Sequence, residues 1–357
     1  MSRRSNSHPS GARLERSRDH LDSVAQGTCT IPRTEAVPKP RGSTQPSDLS
    51  NQEVVLGMGV FLQYTVIGLT VGSFYALVAL GYTIVYGIIR LINFAQGDLS
   101  MVGAFLGWTL LVSFGFEHLP IYLALVIAFV VPMIGTAVVN LGILQFAYKP
   151  LLRRSLLAIL ITALGMSLLL QNAAELIWGA AIEAYPPNLL PLSGFFVGPV
   201  HVTYVQIALV TASLLLMGGL VAFVQGTTMG TAMRALAVDH DAARLMGINV
   251  DAVIRIAFVL GAMLAAASGV MLGIYYVQIH FTMGFLLGLR AFTAAVLGGI
   301  GNIPGAMVGG LLIGLLEAYT TGYLSGTWED VVVFGVLITV LIVKPTGLFG
   351  ERVAERM

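Results

Sequence analysis

The chain has 357 residues, of which 56% are hydrophobic and 10% are charged, and its mean hydropathy is +0.85. Soluble domains carry roughly a quarter charged residues, so this composition indicates a polytopic membrane protein. The net charge of +1 gives no indication of nucleic-acid binding, and a single cysteine, Cys29, excludes an internal disulfide. The few lysines stand outside any G-x-x-x-x-G-K-[ST] phosphate loop, so the chain is not itself an ATPase. We find neither a metal-ligand cluster nor a catalytic constellation, and therefore expect no enzyme activity, no metal and no cofactor.

Residues 1–56 differ in composition from the rest of the chain. They are rich in Ser, Arg and Pro and contain no apolar run. This composition predicts a disordered polar extension rather than a secretory signal peptide. Met58 stands just before the first apolar run and is an alternative start. Residues 57–350 are predicted to form one membrane domain, followed by a short cytoplasmic tail at 351–357.

Apolar segments follow one another from residue 60 onwards. Two of them, 81–92 and 291–300, are too short for the ~20 residues that a helical crossing needs. The sequence therefore predicts an all-α polytopic bundle of about eight full transmembrane helices plus two short broken or re-entrant helices. The full crossings are predicted at 60–80, 99–116, 121–147, 156–178, 203–224, 256–279, 305–319 and 331–343.

Each short segment runs into a polar or glycine-rich break. The first break is I-N-F-A-Q-G-D-L-S at 92–100, and the second is G-G-I-G-N-I-P-G at 298–305. Paired interrupted helices are typical of a transporter's substrate path, although glycine also permits tight turns and close packing. For Asp98, capping of the following helix is the alternative to a substrate contact. The candidate residues for a substrate path or gate are Asn93, Gln96, Asp98, Gly299, Gly301 and Asn302.

The long polar segment of the membrane body lies at 226–255. Its charged side chains cannot lie in hydrocarbon, and the apolar residues between them fit a short helix. Gly247 is a predicted helix stop, and Asn249 or Asp251 is a predicted cap for the helix that follows. A solvated connector and a docking site for a partner both fit this pattern.

The distribution of basic residues predicts the orientation. With the first span starting inside and both short segments counted as crossings or re-entrant legs, Arg290 alone falls on the outer side. The positive-inside rule then predicts a multi-pass inner-membrane protein with the 226–255 loop and both termini in the cytoplasm. The residues on the cytoplasmic side are Arg90, Lys149, Arg153, Arg154, Arg234, Arg244, Arg255, Lys344, Arg352 and Arg356.

Several long strings carry a family resemblance that covers nearly all of residues 68–350. They are A-L-V-A-L-G-Y-T-I-V-Y-G-I-I-R-L-I-N-F-A-Q-G-D at 76–98, A-L-G-M-S-L-L-L-Q-N at 163–172, M-G-I-N-V-D at 246–251 and R-A-F-T-A-A-V-L-G-G-I-G-N-I-P-G-A-M-V-G-G at 290–310. The chain resembles the LivH-type permeases of bacterial ABC importers for branched-chain amino acids. It departs from the commonest family string at Gln96, where His is usual, and at Asp98, where Glu is usual.

The resemblance implies a partner contact for the cytoplasmic loop. Two cytoplasmic ATPase subunits, which use ATP and Mg²⁺, would bind this loop. The chain would also pair in the bilayer with a second, homologous permease. A periplasmic amino-acid-binding protein would deliver substrate for alternating access. The implied coupling residues are Gly230, Arg234, Asp239, Asp241, Arg244, Gly247, Asn249 and Asp251.

Two alternatives remain open at this stage. The same ABC machinery could import urea, short amides or another small carboxylate. An autonomous ion-coupled transporter fits less well, because the body shows no pair of buried carboxylates suited to proton or sodium coupling.

Overall fold

In the part of the chain that the structure describes, the protein folds as a bundle of long helices with four short strands. The computed structural model describes residues 46–115, 120–151, 156–186 and 193–350, and the bundle belongs to the unit Gln52–Met357. Within the described residues, seven helices are long and apolar enough to cross a membrane. This confirms the predicted all-α polytopic class.

The first half of the bundle contains five helices. Two of them, α2 and α3, end in π-helical turns at Thr109–Ser113 and Leu144–Tyr148. In chain order the elements are α1 (Pro46–Ile89), α2 (Gln96–Trp108), α3 (Ile121–Ile143), α4 (Leu156–Trp178), β1 (Glu183–Ala184), β2 (Gly194–Val197), β3 (Val200–Thr203) and α5 (Tyr204–Gly226).

The second half begins with two short helices and returns to long apolar ones. β1 pairs antiparallel with β4, and β2 pairs antiparallel with β3. The elements are α6 (Thr228–Val238), α7 (His240–Leu245), α8 (Val250–Tyr276), β4 (Gln278–Ile279), α9 (Met283–Gly298), α10 (Ile303–Tyr323) and α11 (Glu329–Val343), with a 3₁₀ turn at Gly326–Trp328 before α11.

Helix α1 is longer than the sequence predicted at both ends. The predicted span 60–80 and residues 81–89 of the short segment 81–92 form one continuous helix, so the first short segment is not a separate leg. Gly81 does not break the helix, because its missing side chain leaves room for the Gln96 amide and the Gly261 backbone to approach. The helix also begins at Pro46, inside the predicted polar extension, whose residues 1–45 lie outside the described residues.

Helices α2 and α9 are shorter than the long apolar helices of the bundle, and they differ in how they end. α2 reaches only Ser113 with its π-helical turn, and α9 has 16 residues that include most of the predicted short segment 291–300. α9 stops at Gly299, which adopts φ +103°, a conformation that glycine tolerates best. The second break is therefore a real chain reversal between two helices.

Helices α1 and α8 form the centre of the bundle. In their most apolar windows 83% and 72% of the residues are buried, against 6% for α11 and 28% for both α4 and α5. Small residues allow the close crossings, such as Gly310 of α10 against Ala76 of α1, and Gly103 of α2 against Ala266 of α8. The outer helices consequently leave wide apolar faces for lipid or for other subunits.

One end of the bundle gathers the basic side chains, and we call it the basic end. Lys149 pairs there with Asp251 at 3.0 Å, Gly87 of α1 lies beside Gly301, and Asn302 donates to the Phe349 carbonyl. The basic end comprises residues 86–96, 148–151, 226–255, 298–302 and 344–350. Within the described residues, the basic side chains at this end are Arg90, Lys149, Arg234, Arg244, Arg255 and Lys344.

The start of the membrane-spanning part of α1 lies at the opposite end. There Gln63 exchanges hydrogen bonds with the backbone of His201, and Trp108 donates to the Ala184 carbonyl. Since α1 crosses the bundle once, Gln63 and Lys344 lie at opposite ends. The crossings counted from the sequence placed the start of the first span and residue 344 on the same side of the membrane. That placement was wrong, because the count divided α1 into two crossings.

Candidate functional site

The first break brings its three predicted residues into the interior. Asn93 is 1% exposed, and Gln96 and Asp98 are completely buried. Gln96 reaches the backbone of Gly81, which lies about 12 Å along α1 from the end of that helix at about 1.5 Å per residue. Irregular backbone at such depth needs protein or an aqueous cavity around it, and here α1, α2 and α8 supply the protein.

Asn93 and Gln96 are bonded on one side of their amides only. Oδ1 of Asn93 accepts from the Tyr148 hydroxyl at 2.6 Å and from the Ala95 amide at 3.2 Å. Nε2 of Gln96 donates to the Gly261 carbonyl at 2.8 Å. Among the described residues, Nδ2 of Asn93 and Oε1 of Gln96 have no hydrogen-bond partner. Two buried polar atoms are therefore available to form hydrogen bonds with a polar ligand, or with other protein groups when the break moves.

Asp98 lies in the first turn of α2 and faces a different helix. Its Oδ1 accepts from Nε2 of Gln171 on α4 at 3.0 Å, and Ser167 lies beside the same carboxylate. The residue at the N-cap position is Ala95, and no side chain caps α2. Asp98 therefore does not cap this helix in the structure, and its carboxylate links α2 to α4 within the bundle.

Close backbone packing surrounds Asp98. A Cβ atom on Gly284 of α9 would lie 2.7 Å from the Asp98 Cα and 2.9 Å from its Oδ1. The beginning of α9 consequently touches the first turn of α2, and a side chain at this point would separate the two helices. The carboxylate thus sits where α2, α4 and α9 meet.

The second break lies at the basic end rather than beside Asp98, with Gly299 buried and Gly301 exposed. Gly299 and Gly301 adopt φ +103° and +97°. Asn302 caps α10 by accepting from the Gly305 amide at 3.1 Å, and its Nδ2 donates to the Phe349 carbonyl at 2.9 Å. These residues shape a turn and hold the C-terminal segment, so the structure separates the two groups that the sequence considered together.

A small apolar crevice lies between the two breaks. It is bordered by residues of the first break, of α1, of α9 and of the second break. Two tyrosines of α1 contribute to its lining. Its lining residues are Tyr82, Tyr86, Ile92, Phe292, Ala295 and Ile300.

The polar segment 226–255 folds into the two helices α6 and α7, which we call the coupling segment together with the turn up to Asp251. Thr227 caps α6 by accepting from the Gly230 amide at 3.0 Å. Arg234 donates to the Val224 carbonyl at 2.5 Å, which holds α6 against the end of α5. Gly230 packs on the same α5 backbone, so a side chain there would push α6 away.

Helix α7 has defined caps at both ends. Oδ1 of Asp239 accepts from the amides of Asp241 at 2.8 Å and Ala242 at 3.1 Å, and these bonds lower the pKa of the carboxyl. Gly247 ends the helix with φ +83°, and Asn249 caps α8 by accepting from the Ala252 amide. The predicted stop at Gly247 and the cap at Asn249 are confirmed.

The coupling segment carries a strongly exposed apolar tip. Val238, Leu245 and Met246 are 83%, 89% and 82% exposed, although they lie among charged residues that belong in water. Asp241 and Arg244 flank them in the first and last turns of α7. Apolar side chains exposed this far from the lipid-facing helices are typical of a protein–protein contact.

An ionic cluster surrounds Arg290, and the sequence did not predict it. This guanidinium donates to Glu317 at 2.7 Å, to Asp330 at 2.8 and 3.0 Å, to Glu329 at 3.4 Å and to the Tyr75 hydroxyl at 3.2 Å. Glu317 of α10 is 7% exposed and accepts from Arg290 of α9. The isolated position of Arg290 in an apolar segment was the available signal for this cluster.

Taken together, these features define a membrane transport protein with an interrupted helix in its core and a capped, partly apolar helix pair at its basic end. Within the described residues, no group of three or more His, Cys, Asp or Glu side chains could hold a metal ion. The chain belongs to the family described as the branched-chain amino acid transport system permease component, whose model matches residues 64–341. This confirms the resemblance seen in the sequence.

Curated relatives match almost their full length. The chain is 45% identical over 304 residues to the high-affinity branched-chain amino acid transport system permease protein BraD of Pseudomonas aeruginosa, covering 83% of this chain and 98% of the relative. It is 42% identical over 303 residues to the corresponding protein LivH of Escherichia coli K12, with the same coverage of both chains.

Proposed function

We propose that this chain is the permease subunit of an ATP-driven importer of branched-chain amino acids in the inner membrane. The substrate class is supported by the names of BraD and LivH and by the family. The observation that carries the mechanism is the coupling segment, a capped helix pair whose exposed apolar tip needs a partner. ATP and Mg²⁺ are used by that partner, and this chain binds neither.

The coupling segment is the docking site for the two cytoplasmic ATPase subunits. Its apolar tip supplies buried anchors, and charged residues around the tip select the partner and its register. The residues that shape or contact this interface are Gly230, Arg234, Asp239, Asp241, Arg244, Gly247, Asn249 and Asp251. The basic end is then cytoplasmic, as the positive-inside rule requires.

The first break forms the substrate path or its gate. Asn93, Gln96 and Asp98 offer two free amide atoms and a carboxylate, which suit the polar groups of a zwitterion. The residues of the second break do not line the substrate path. They hold the C-terminal segment beside its cytoplasmic opening, and they are Gly299, Gly301 and Asn302.

Alternating access follows from these assignments. A periplasmic binding protein delivers the amino acid to the opposite end, and a second, homologous permease covers part of the apolar faces of the outer helices. ATP-driven closure of the ATPase pair moves the coupling segments of both permeases. The cycle proceeds because each ligand binds one conformation better than the other.

Purification of the assembled complex tests the proposed partners. The tagged chain is extracted from native membranes in mild detergent, and its co-purifying subunits are identified by mass spectrometry. Wild type and a Phe196→Asp control, which changes an exposed aromatic at the opposite end, should both retain two ATPase subunits and a second permease. Leu245→Asp should lose the ATPases and keep the second permease.

The substrate is tested in proteoliposomes that contain the purified complex. ATP-dependent uptake of labelled leucine, competed by isoleucine and valine, is the expected result. If urea or acetamide competes and isoleucine does not, the proposed substrate class is wrong. Uptake by the chain alone under an ion gradient would overturn the ATP-driven mechanism.

A further inference from the structure

We propose that Tyr148 and Lys149 are positioning residues that connect the coupling segment to the first break. Movement of α6 and α7 would reach the substrate path through this pair. The inference rests on the proposed function and adds to it the side chains that transmit the movement.

The first link joins the coupling segment to the end of α3. Nζ of Lys149 lies 3.0 Å from Oδ2 of Asp251, which stands in the first turn of α8, immediately after the turn that follows α7. Both side chains are about half exposed. Such an exposed pair contributes little to stability, so a structural role alone does not account for it.

The second link joins the same turn to the first break. Tyr148 is completely buried, its hydroxyl donates to Oδ1 of Asn93 at 2.6 Å, and its ring packs against Phe258 of α8 at a centroid distance of 5.8 Å. Tyr148 and Lys149 are consecutive, so one short turn holds the break with one side chain and the start of α8 with the next.

The backbone at the end of α3 suits a segment that moves as a unit. α3 changes to a π-helical turn at Leu144–Tyr148, just before Lys149. Such turns occur often at functional sites and change the direction of the side chains that follow them. The turn ends at Tyr148, so a displacement of Asp251 would act on Tyr148 through Lys149, the next residue of the chain.

The break itself has the features of an element with a second arrangement. Arg90 adopts φ +55°, a left-handed conformation that is strained for a non-glycine residue. Among the described residues, Nδ2 of Asn93 and Oε1 of Gln96 lack partners, so the present arrangement leaves hydrogen bonds unmade. Loss of the Tyr148 contact would alter which of these atoms are paired.

The test compares two buried tyrosines near opposite ends of the bundle, of which Tyr148 donates to a side-chain oxygen of the break and Tyr185 to a backbone carbonyl. Tyr148→Phe removes the hydroxyl that bonds Asn93 and keeps the ring against Phe258. Tyr185→Phe is the matched control, because Tyr185 is also buried and donates to a backbone carbonyl, that of Ala104 at 2.5 Å, near the opposite end. Both variants are reconstituted as full complexes, and leucine uptake and ATP hydrolysis are measured in the same vesicles.

We expect Tyr148→Phe to retain the ATPase subunits and to hydrolyse ATP at the wild-type rate. Its leucine uptake per ATP should fall by roughly 2- to 30-fold, the range that mutations along a coupling route produce. Tyr185→Phe should keep the wild-type ratio. Equal ratios in the two variants would overturn the inference.

A charge exchange gives a second test that does not disturb the interior. Lys149→Glu should lower the uptake per ATP, and Lys149→Glu combined with Asp251→Lys should restore at least part of it. An unchanged ratio in Lys149→Glu would remove that residue from the route. If the wild-type complex shows no ATP-dependent leucine uptake, the proposed function fails, whereas a working wild type with insensitive variants rejects the route alone.

Discussion

Arg290 of α9 donates to Glu317 of α10 at 2.7 Å, and the two side chains are only 15% and 9% exposed. Three carboxylates and one tyrosine hydroxyl surround this guanidinium. The pair therefore joins α9 to α10 within the bundle, and Asp330 extends the connection to α11. A charge in this position is tolerated only while its partners remain in place.

Removal of Arg290 should strongly destabilise the permease. Arg290→Gln leaves Glu317 buried without its cation, and breaking such a pair lowers the free energy of unfolding by about 3–5 kcal/mol. Lys149→Gln, which breaks a pair exposed by 43% and 56%, should cost about 1 kcal/mol or less. Thermal unfolding of both variants in the same detergent measures the difference, and equal losses would refute the structural role of the Arg290 pair.

Close packing of glycines between helices gives a second prediction. A Cβ atom at Gly310 would overlap the backbone of Ala76 on α1, whereas one at Gly218 of α5 would meet no atom within 4 Å. Gly310→Ala should therefore reduce the amount of folded protein in the membrane by forcing α1 and α10 apart. Gly218→Ala should leave it unchanged, because α5 has free space there. Fluorescence-detected gel filtration compares the two, and a normal monodisperse yield of Gly310→Ala would contradict the prediction.

The sequence predicted the helical class because long apolar runs between polar breaks leave few other structures possible in lipid. It could not predict that residues 81–89 continue α1. Gly81 appears in the sequence as a point of interruption, and only the approach of Gln96 and Gly261 shows that its role is packing. Because α1 is one crossing and not two, its start lies at the opposite end of the bundle from Lys344, whereas the sequence had predicted the same side.

The candidate site was predicted in part. Caps such as Asn249 and stops such as Gly247 depend on local backbone chemistry, so the sequence located them correctly. Contacts between distant segments have no local signature. The bonds of Asp98 to Gln171 and of Asn93 to Tyr148 join positions far apart in the chain, and neither could be read from residue spacing.

Asp98 should distinguish substrates that carry an ammonium group from those that do not. Asp98→Asn keeps the size of the side chain and removes its charge, so a hydrogen bond to a charged group worth about 1.5–3 kcal/mol is weakened. We expect the KM for leucine to rise about 10-fold or more. Competition by 4-methylpentanoate, which has the same side chain and no ammonium group, should change little.

A control separates this effect from a general disturbance of the fold. Glu175→Gln removes a carboxylate from the same helix that carries Gln171, and it should leave the KM for leucine unchanged. If Asp98→Asn transports leucine with the wild-type KM, the carboxylate has a structural role in joining α2 to α4.

The cap of α7 should respond to substitution but not to physiological changes of pH. The amides of Asp241 and Ala242 hold the pKa of the Asp239 carboxyl below its ordinary value of 3.8. A carboxyl with a lowered pKa in the folded state stabilises it at neutral pH, and this contribution is lost only as the pH falls through that lowered value. The cap should therefore act equally throughout the range from about pH 5 to 8.

Asp239→Ala should increase amide exchange in α7 and weaken retention of the ATPase subunits, whereas Asp239→Asn, which can still accept both bonds, should preserve both. Hydrogen exchange of the purified complex resolves these cases, and equal exchange in the alanine and asparagine variants would show that the cap does not hold the coupling segment in shape.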